Sequence, residues 1–183
     1  RRAIKALVYQ RGPSRWVGKC PQHMEQLAAI AKAFPGAFII INHRDPVASI
    51  QSGIAMMGYA ARFTQNRLDL GQIADYWIDR YERLLRRCVV ERDMIDPDRA
   101  YDLYFHKLIA DPMGEMEAIY RKAGLLFDDQ TRASLQGAID ANTRKMGQLV
   151  YDLRGDFGLD PAKVRERFSF YFERFPEVRI EVE

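Results

Sequence analysis

Residues Phe38-Ile39-Ile40-Ile41 form an unbroken run of apolar β-formers, which continues through Asn42-His43-Arg44 straight into Asp45-Pro46. A run without polar alternation predicts a strand covered on both faces, as in a parallel sheet. Asp45 predicts a helix N-cap, and Pro46 suits the first helical position after it. A strand that feeds directly into a helix places unpaired N–H donors and partial positive charge at its carboxyl end. Phosphate or sulfate settles at such ends. Arg44 sits at this junction and adds a guanidinium to it.

The rest of the chain extends this pattern. Ile4 to Tyr9 reads as the tail of a helix stopped by Gly12-Pro13. Arg15 to Lys19 is a short strand candidate. Gln22 to Phe34 carries helical spacing and ends at Pro35-Gly36. The helix opened by Pro46 is expected to reach about Phe63. Leu70 to about Ile95 is the longest predicted helix, with an apolar stripe at Ile73, Trp77, Tyr81, Leu84, Cys88 and Val89. Asp96-Pro97-Asp98 breaks it. Ala100 to Phe105 is a third strand candidate, and Asp111-Pro112 starts a helix that Gly124 terminates. A further helix is expected from Asp128 to about Thr143, then a loop from Arg144 to Gly158. Asp160-Pro161 opens a last helix reaching Phe172. Strands alternating with helices in this order point to an α/β domain, a parallel sheet wrapped by helices.

Composition narrows the function classes. With 183 residues the chain is long enough for one domain with a sizeable core. A net charge of +3 is too small to suggest nucleic acid, but suits a few basic groups facing a phosphorylated ligand. Cys20 and Cys88 make no disulfide framework, which favours a reducing compartment, the cytoplasm. No apolar run reaches the roughly 18 residues of a membrane span, and no signal peptide is visible.

Several residue groups carry possible chemistry. Gly12 to Lys19 imitates a phosphate-binding loop, but five residues separate the glycines and Cys20 replaces the Ser or Thr that would hold magnesium. Lys19, Cys20, Pro21 and His23 form a strand-to-helix turn. Either Lys19 is a surface residue, or its ammonium sits where open α/β sheets bind ligands. His23, in the first helical turn, is placed to accept a proton. Ser49 and Ser52 share a helix face, and an Arg44 guanidinium with the Ser52 hydroxyl can grip one phosphate from two sides. Alternatively, Arg44 pairs with Asp45 or another acid and the serines are solvated. His43, pointing away from its strand neighbour Arg44, reads as structural. Met56-Met57 and Tyr59 to Phe63 suit either an acceptor pocket or plain packing. Arg80, Arg83, Arg86 and Arg87 read as a paired helix face.

Two stretches together, Trp16-Val-Gly-Lys-Cys-Pro-Gln-His23-Met-Glu-Gln-Leu27 and Phe34-Pro-Gly-Ala-Phe-Ile-Ile-Ile-Asn-His-Arg-Asp-Pro-Val-Ala-Ser-Ile-Gln-Ser52, resemble the bacterial-type sulfotransferase family. Phe105-His-Lys-Leu-Ile-Ala-Asp-Pro112 and Tyr151-Asp-Leu-Arg-Gly-Asp-Phe-Gly-Leu159 extend the resemblance over nearly the whole chain from Arg15. It implies a helix-rich, P-loop NTPase-like three-layer sandwich with a parallel sheet. It also implies 3′-phosphoadenosine 5′-phosphosulfate (PAPS) as sulfuryl donor, 3′-phosphoadenosine 5′-phosphate (PAP) as product, a hydroxyl or amine acceptor, and no metal.

Residue by residue, Arg44 and Ser52 match the pair that binds the donor's 3′-phosphate. Lys19 matches a lysine near the transferring sulfuryl group, where it would neutralise charge on the bridging oxygen. His23 occupies a family position near the acceptor cleft. Arg144, Lys145 and Gly147 match a basic loop that closes over the 3′-phosphate. Phe105 stands where the family usually has Tyr near the adenine, so stacking survives and a hydroxyl contact is lost. The family's Gly-rich 5′-phosphosulfate loop has no match and belongs upstream. Residues 1–183 are therefore expected to be a single domain, the C-terminal part of a sulfotransferase domain, with half a donor site and no activity alone. The rivals are a P-loop kinase-like phosphotransferase and a non-catalytic interaction module that keeps the fold.

Overall fold

The computed structural model describes residues 2–12, 15–64, 66–67, 69–141 and 152–181. Helix α1 (Arg2–Arg11) stops at Gly12, whose φ of 79° is the left-handed conformation that glycine adopts freely. The expected strand at 15–19 does not form. That segment takes no regular secondary structure, joins no ladder among the described residues, and leaves Val17 exposed. The helical spacing after it splits into a short 3₁₀ helix, Pro21–Glu25, and α2 (Leu27–Ala33), with the break at Gln26. Both pieces dock on α4 through named contacts. Arg80 pairs with Glu25, and the Ala28 N–H donates to the buried Glu91 carboxylate at 3.0 Å.

Strand β1 (Ile39–His43) then runs into α3 (Pro46–Ala61). Asp45 caps the helix as expected, accepting the Val47 N–H at 2.9 Å with Pro46 in the first turn. Helix α4 (Leu70–Arg92) is the longest. Its buried face is turned from the expected stripe: Ala74, Ile78, Leu84, Leu85 and Cys88 are inside, while Ile73, Trp77, Tyr81 and Val89 are half-buried at the rim. Aromatic rings at a rim cover the core while their polar edges reach water. Pro97–Arg99 forms a 3₁₀ turn, and β2 (Ala100–Tyr104) follows.

The two strands pair in parallel, Ile39 with Ala100 through His43 with Tyr104. A parallel pair needs a crossover, which α3 and α4 supply. The strand was expected to be covered on both faces, yet only one is buried among the described residues. Ile41 and His43 are 1 % exposed, whereas Ile40 is 46 % exposed and Asn42 is exposed. Side-chain alternation explains the split: 41 and 43 share the face that carries the core.

After β2 the chain forms α5 (Phe105–Ala110), a helix not foreseen in the sequence. Asp111 ends it and caps α6 (Pro112–Lys122), and Gly124 terminates α6 with φ 64°. Helix α7 (Asp129–Ala141) follows. The expected loop up to Gly158 contains a short helix, α8 (Leu153–Phe157), capped by Asp152. The expected last helix is two, α9 (Pro161–Arg167) and α10 (Ser169–Arg174). The chain tightens to three-residue hydrogen bonds at Phe168, where no Gly or Pro marks the change.

The main core lies between α3 and α4 and is closed by the C-terminal segment. Phe168, Tyr171 and Phe175 enter it from α9 and α10, and Val178 follows from the chain beyond them. A second cluster joins Leu27, Ile41, Cys88, Ile95 and Ala100 beneath the sheet. The fold is α/β and helix-rich, with its parallel strand ends gathered beside the start of α3.

Candidate functional site

The end of β1 divides its side chains between core and crevice. His43 points inward into a polar network. Its Nε2 lies 2.9 Å from Asp102 Oδ1 and its Nδ1 lies 2.7 Å from the Tyr171 hydroxyl. An ionised carboxylate only accepts, so Nε2–H donates to Asp102; in the neutral ring Nδ1 then accepts from Tyr171. Arg92 clamps the same carboxylate with Nε at 2.9 and 3.1 Å and Nη2 at 2.7 Å. Burial raises the Asp102 carboxyl, but the His43 and Arg92 hydrogen bonds and the Arg92 charge outweigh it. The group is held well below the usual carboxylate range. Burial also pushes the Tyr171 hydroxyl well above its ordinary range, so it stays a donor. This network joins β1, β2, α4 and α10, and it fixes the strand end that carries Arg44.

Arg44 faces outward. Its guanidinium carbon lies 4.3 Å from the centroid of the Phe105 ring, at the start of α5. A cation over an aromatic face is attracted by the ring's negative quadrupole, and the plate restricts the guanidinium. The remaining donors meet a carboxylate. Nε donates to both Glu181 oxygens at 3.0 and 2.9 Å, and Nη2 donates to Oε2 at 2.7 Å. Arg44 thus pairs with an acid, and that acid is Glu181 rather than Asp45. Asp45 is fully buried. One of its oxygens caps α3, the other accepts the Glu181 N–H at 2.9 Å, and Arg165 lies at 4.0 Å. A planar fork on an aromatic plate, closed by an oxyanion, is an arrangement that carboxylate and phosphate both satisfy.

Ser52 is exposed two turns along α3, and Ser49, half-buried, gives its carbonyl to the Tyr81 hydroxyl at 3.3 Å. Lys19 and His23 are exposed at the head of the 3₁₀ helix, and no hydrogen bond or ion pair among the described residues ties either to Arg44. The Trp16 indole and His23 ring flank Gly18, where an added Cβ would lie 3.8 and 3.9 Å from them. Arg144, Lys145 and Gly147 lie outside the described residues. Sequence reasoning missed Glu181; nothing local marks it, because its partner is 137 residues away.

Met57, Ala60, Ala61, Ile73 and Trp77 line an open cleft of about 600 Å³ between α3 and α4. Met56, Tyr59 and Phe63 are exposed near it. The cleft lies at the far end of α3 from Arg44, some 11 residues or about 17 Å along the axis. Among the described residues no cluster of three or more His, Cys, Asp or Glu could hold a metal ion. No described helix is long and apolar enough to cross a membrane.

The chain is similar to known sulfotransferases in sequence and in fold. The chain is similar to the omega-hydroxy-beta-dihydromenaquinone-9 sulfotransferase Stf3 of Mycobacterium tuberculosis and to that of Mycobacterium bovis. Each is 29% identical over 121 residues, covering 64% of this chain and 31% of the relative. The chain therefore spans about a third of the length of these curated relatives. The crystal structure of sulfotransferase STF9 from Mycobacterium avium superposes over all of this chain and 46% of its own, with a TM-score of 0.87 at 24% identity, a likeness of fold. Sulfotransferase STF1 from Mycobacterium tuberculosis superposes with a TM-score of 0.67 at 30% identity, over 86% of this chain and 40% of its own. The sequence profile of the sulfotransferase family matches residues 1–129, a stretch that takes in β1, Arg44, β2 and Phe105. The chain belongs to the sulfotransferase family.

Proposed function

We propose that this chain carries the 3′-phosphate half of the donor site in a sulfotransferase that moves a sulfuryl group from PAPS to a hydroxyl or amine. The observation that supports this reading is the Arg44 fork, laid on the Phe105 ring and already closed by an oxyanion. In this reading Arg44 and Ser52 bind the 3′-phosphate, and Phe105 packs beside the adenine. Arg144 and Lys145 would add positive charge for the phosphate. Lys19 neutralises charge on the leaving phosphate, and His23 takes the acceptor proton. PAPS supplies the activated sulfuryl group; the acceptor attacks the sulfur and PAP departs.

The relatives' name specifies a hydroxylated menaquinone, which favours a hydroxyl acceptor with an apolar body. The free thiols of Cys20 and Cys88 fit a protein of the cytoplasm. Titration calorimetry with PAP tests the donor site. Arg44→Ala should weaken binding by at least about tenfold, the worth of a charge-assisted phosphate contact. Unchanged binding rejects it. A thermal-shift comparison of PAP with ATP–Mg separates this reading from a kinase-like one, since only the cognate ligand stabilises strongly.

A further inference from the structure

The anion on Arg44 belongs to the protein itself. Glu181 lies at the end of a strap that leaves α10 at Phe175, buries Val178 in the main core and then turns over the start of α3. The strap is anchored at its base in the core and runs exposed beyond it. Phe175 and Val178 are buried, whereas Arg179 and Ile180 are exposed. Among the described residues beyond Val178, the Glu181 N–H donates to Asp45 and the Glu181 carboxylate accepts from Arg44.

We propose that Glu181 is an internal counter-anion for the donor's phosphate, a carboxylate that occupies the Arg44 fork in the free protein and leaves it when the donor binds. The inference rests on the reading of Arg44 as a phosphate-binding residue. A carboxylate offers one charge and two oxygens, whereas a phosphate monoester offers up to two charges and three oxygens. The fork therefore exchanges in favour of phosphate. The Arg44 and Glu181 side chains are 37 % and 23 % exposed, so water reaches the pair and the exchange needs no core rearrangement. Val178 stays in place and keeps the strap tethered, so the displaced carboxylate remains close at hand. Two consequences follow. The plug keeps Arg44 oriented on the Phe105 plate before the ligand arrives. It also sets a threshold that a weakly charged anion does not cross.

Glu181→Gln keeps the side chain's shape and removes its charge. Titration of PAP into the wild type, Glu181→Gln and Arg44→Ala should show Glu181→Gln binding about two- to fivefold tighter, the range expected for losing one partly exposed competing ion pair. Hydrogen exchange on the wild type needs no variant. PAP should speed amide exchange in peptides covering 176–181, because the Glu181 N–H to Asp45 bond opens. Equal or weaker binding by Glu181→Gln, or slowed exchange in the strap, overturns the inference. If Arg44→Ala loses affinity while Glu181→Gln gains none, only the counter-anion role falls. If Arg44→Ala binds as well as wild type, or PAP binds none of the three, the phosphate-site reading falls and the plug falls with it.

Discussion

Asp102→Asn exchanges one carboxylate oxygen for an NH₂ at nearly constant volume, so packing is preserved and only charge and hydrogen bonding change. In the wild type this carboxylate accepts three hydrogen bonds from Arg92 at 2.7–3.1 Å and one from His43 at 2.9 Å. The Arg92 side chain is 12 % exposed and that of His43 fully buried. An asparagine keeps one accepting oxygen and turns a donor toward a donor on its other side. It leaves Arg92 as a largely buried charge without its counter-charge, a loss of about 3 kcal/mol. Urea melts at neutral pH should read that loss directly. At roughly 2–4 °C per kcal/mol for a chain of this size, the melting temperature should fall by about 6–12 °C.

The pH dependence follows from the direction of the shift. The folded carboxyl titrates well below its unfolded value, so its stabilising contribution is full above the unfolded pKa of about 4 and fades as pH falls from there toward the folded pKa. The gap between wild type and variant should therefore be widest above about pH 5 and narrow below about pH 4. A loss under about 1 kcal/mol, the scale of an exposed pair, would show that Arg92 finds water instead and that the network does not anchor the strand end. A gap unchanged between neutral and acid pH would show that the carboxylate's charge is not what matters.

Two further measurements probe the packing around the site. Burial pushes the Cys88 thiol up to about 12, while Cys20 is exposed, so native alkylation at mildly alkaline pH should label Cys20 alone by mass spectrometry; labelling of Cys88 before unfolding contradicts the core placement. Gly53 in α3 faces Tyr81, where an added Cβ would meet the hydroxyl at 2.5 Å and ring carbons at 3.2 and 3.3 Å. Gly53→Ala should therefore destabilise by about 1 kcal/mol, overpacking exceeding the usual helix gain, and a stabilised variant would show that the ring moves aside freely.

The local signals in the sequence were dependable where the physics is local. Asp-Pro at 45–46, 111–112 and 160–161 opens a helix each time, because an Asx cap and a fixed proline φ act within one turn. The apolar run becomes a strand, and the family motifs carry enough order to place the chain among sulfotransferases. The sequence could not determine which groups meet. Whether Arg15 to Lys19 pairs depends on a neighbouring strand; the buried face of α4 depends on what packs against it. The division of the last helix at Phe168 answers to the core between α3 and α4, with no breaker residue to signal it. The site shows the same limit. Arg44 and Phe105 were legible as separate residues, but the plate they form comes from β1 and β2 lying side by side in register. Glu181 reaches Arg44 because Val178 is buried and turns the strap back over the start of α3. Capping and strand propensity act over a few residues and can be read from them. Ion pairing across 137 residues depends on where the core carries each end of the chain, which tertiary packing alone decides.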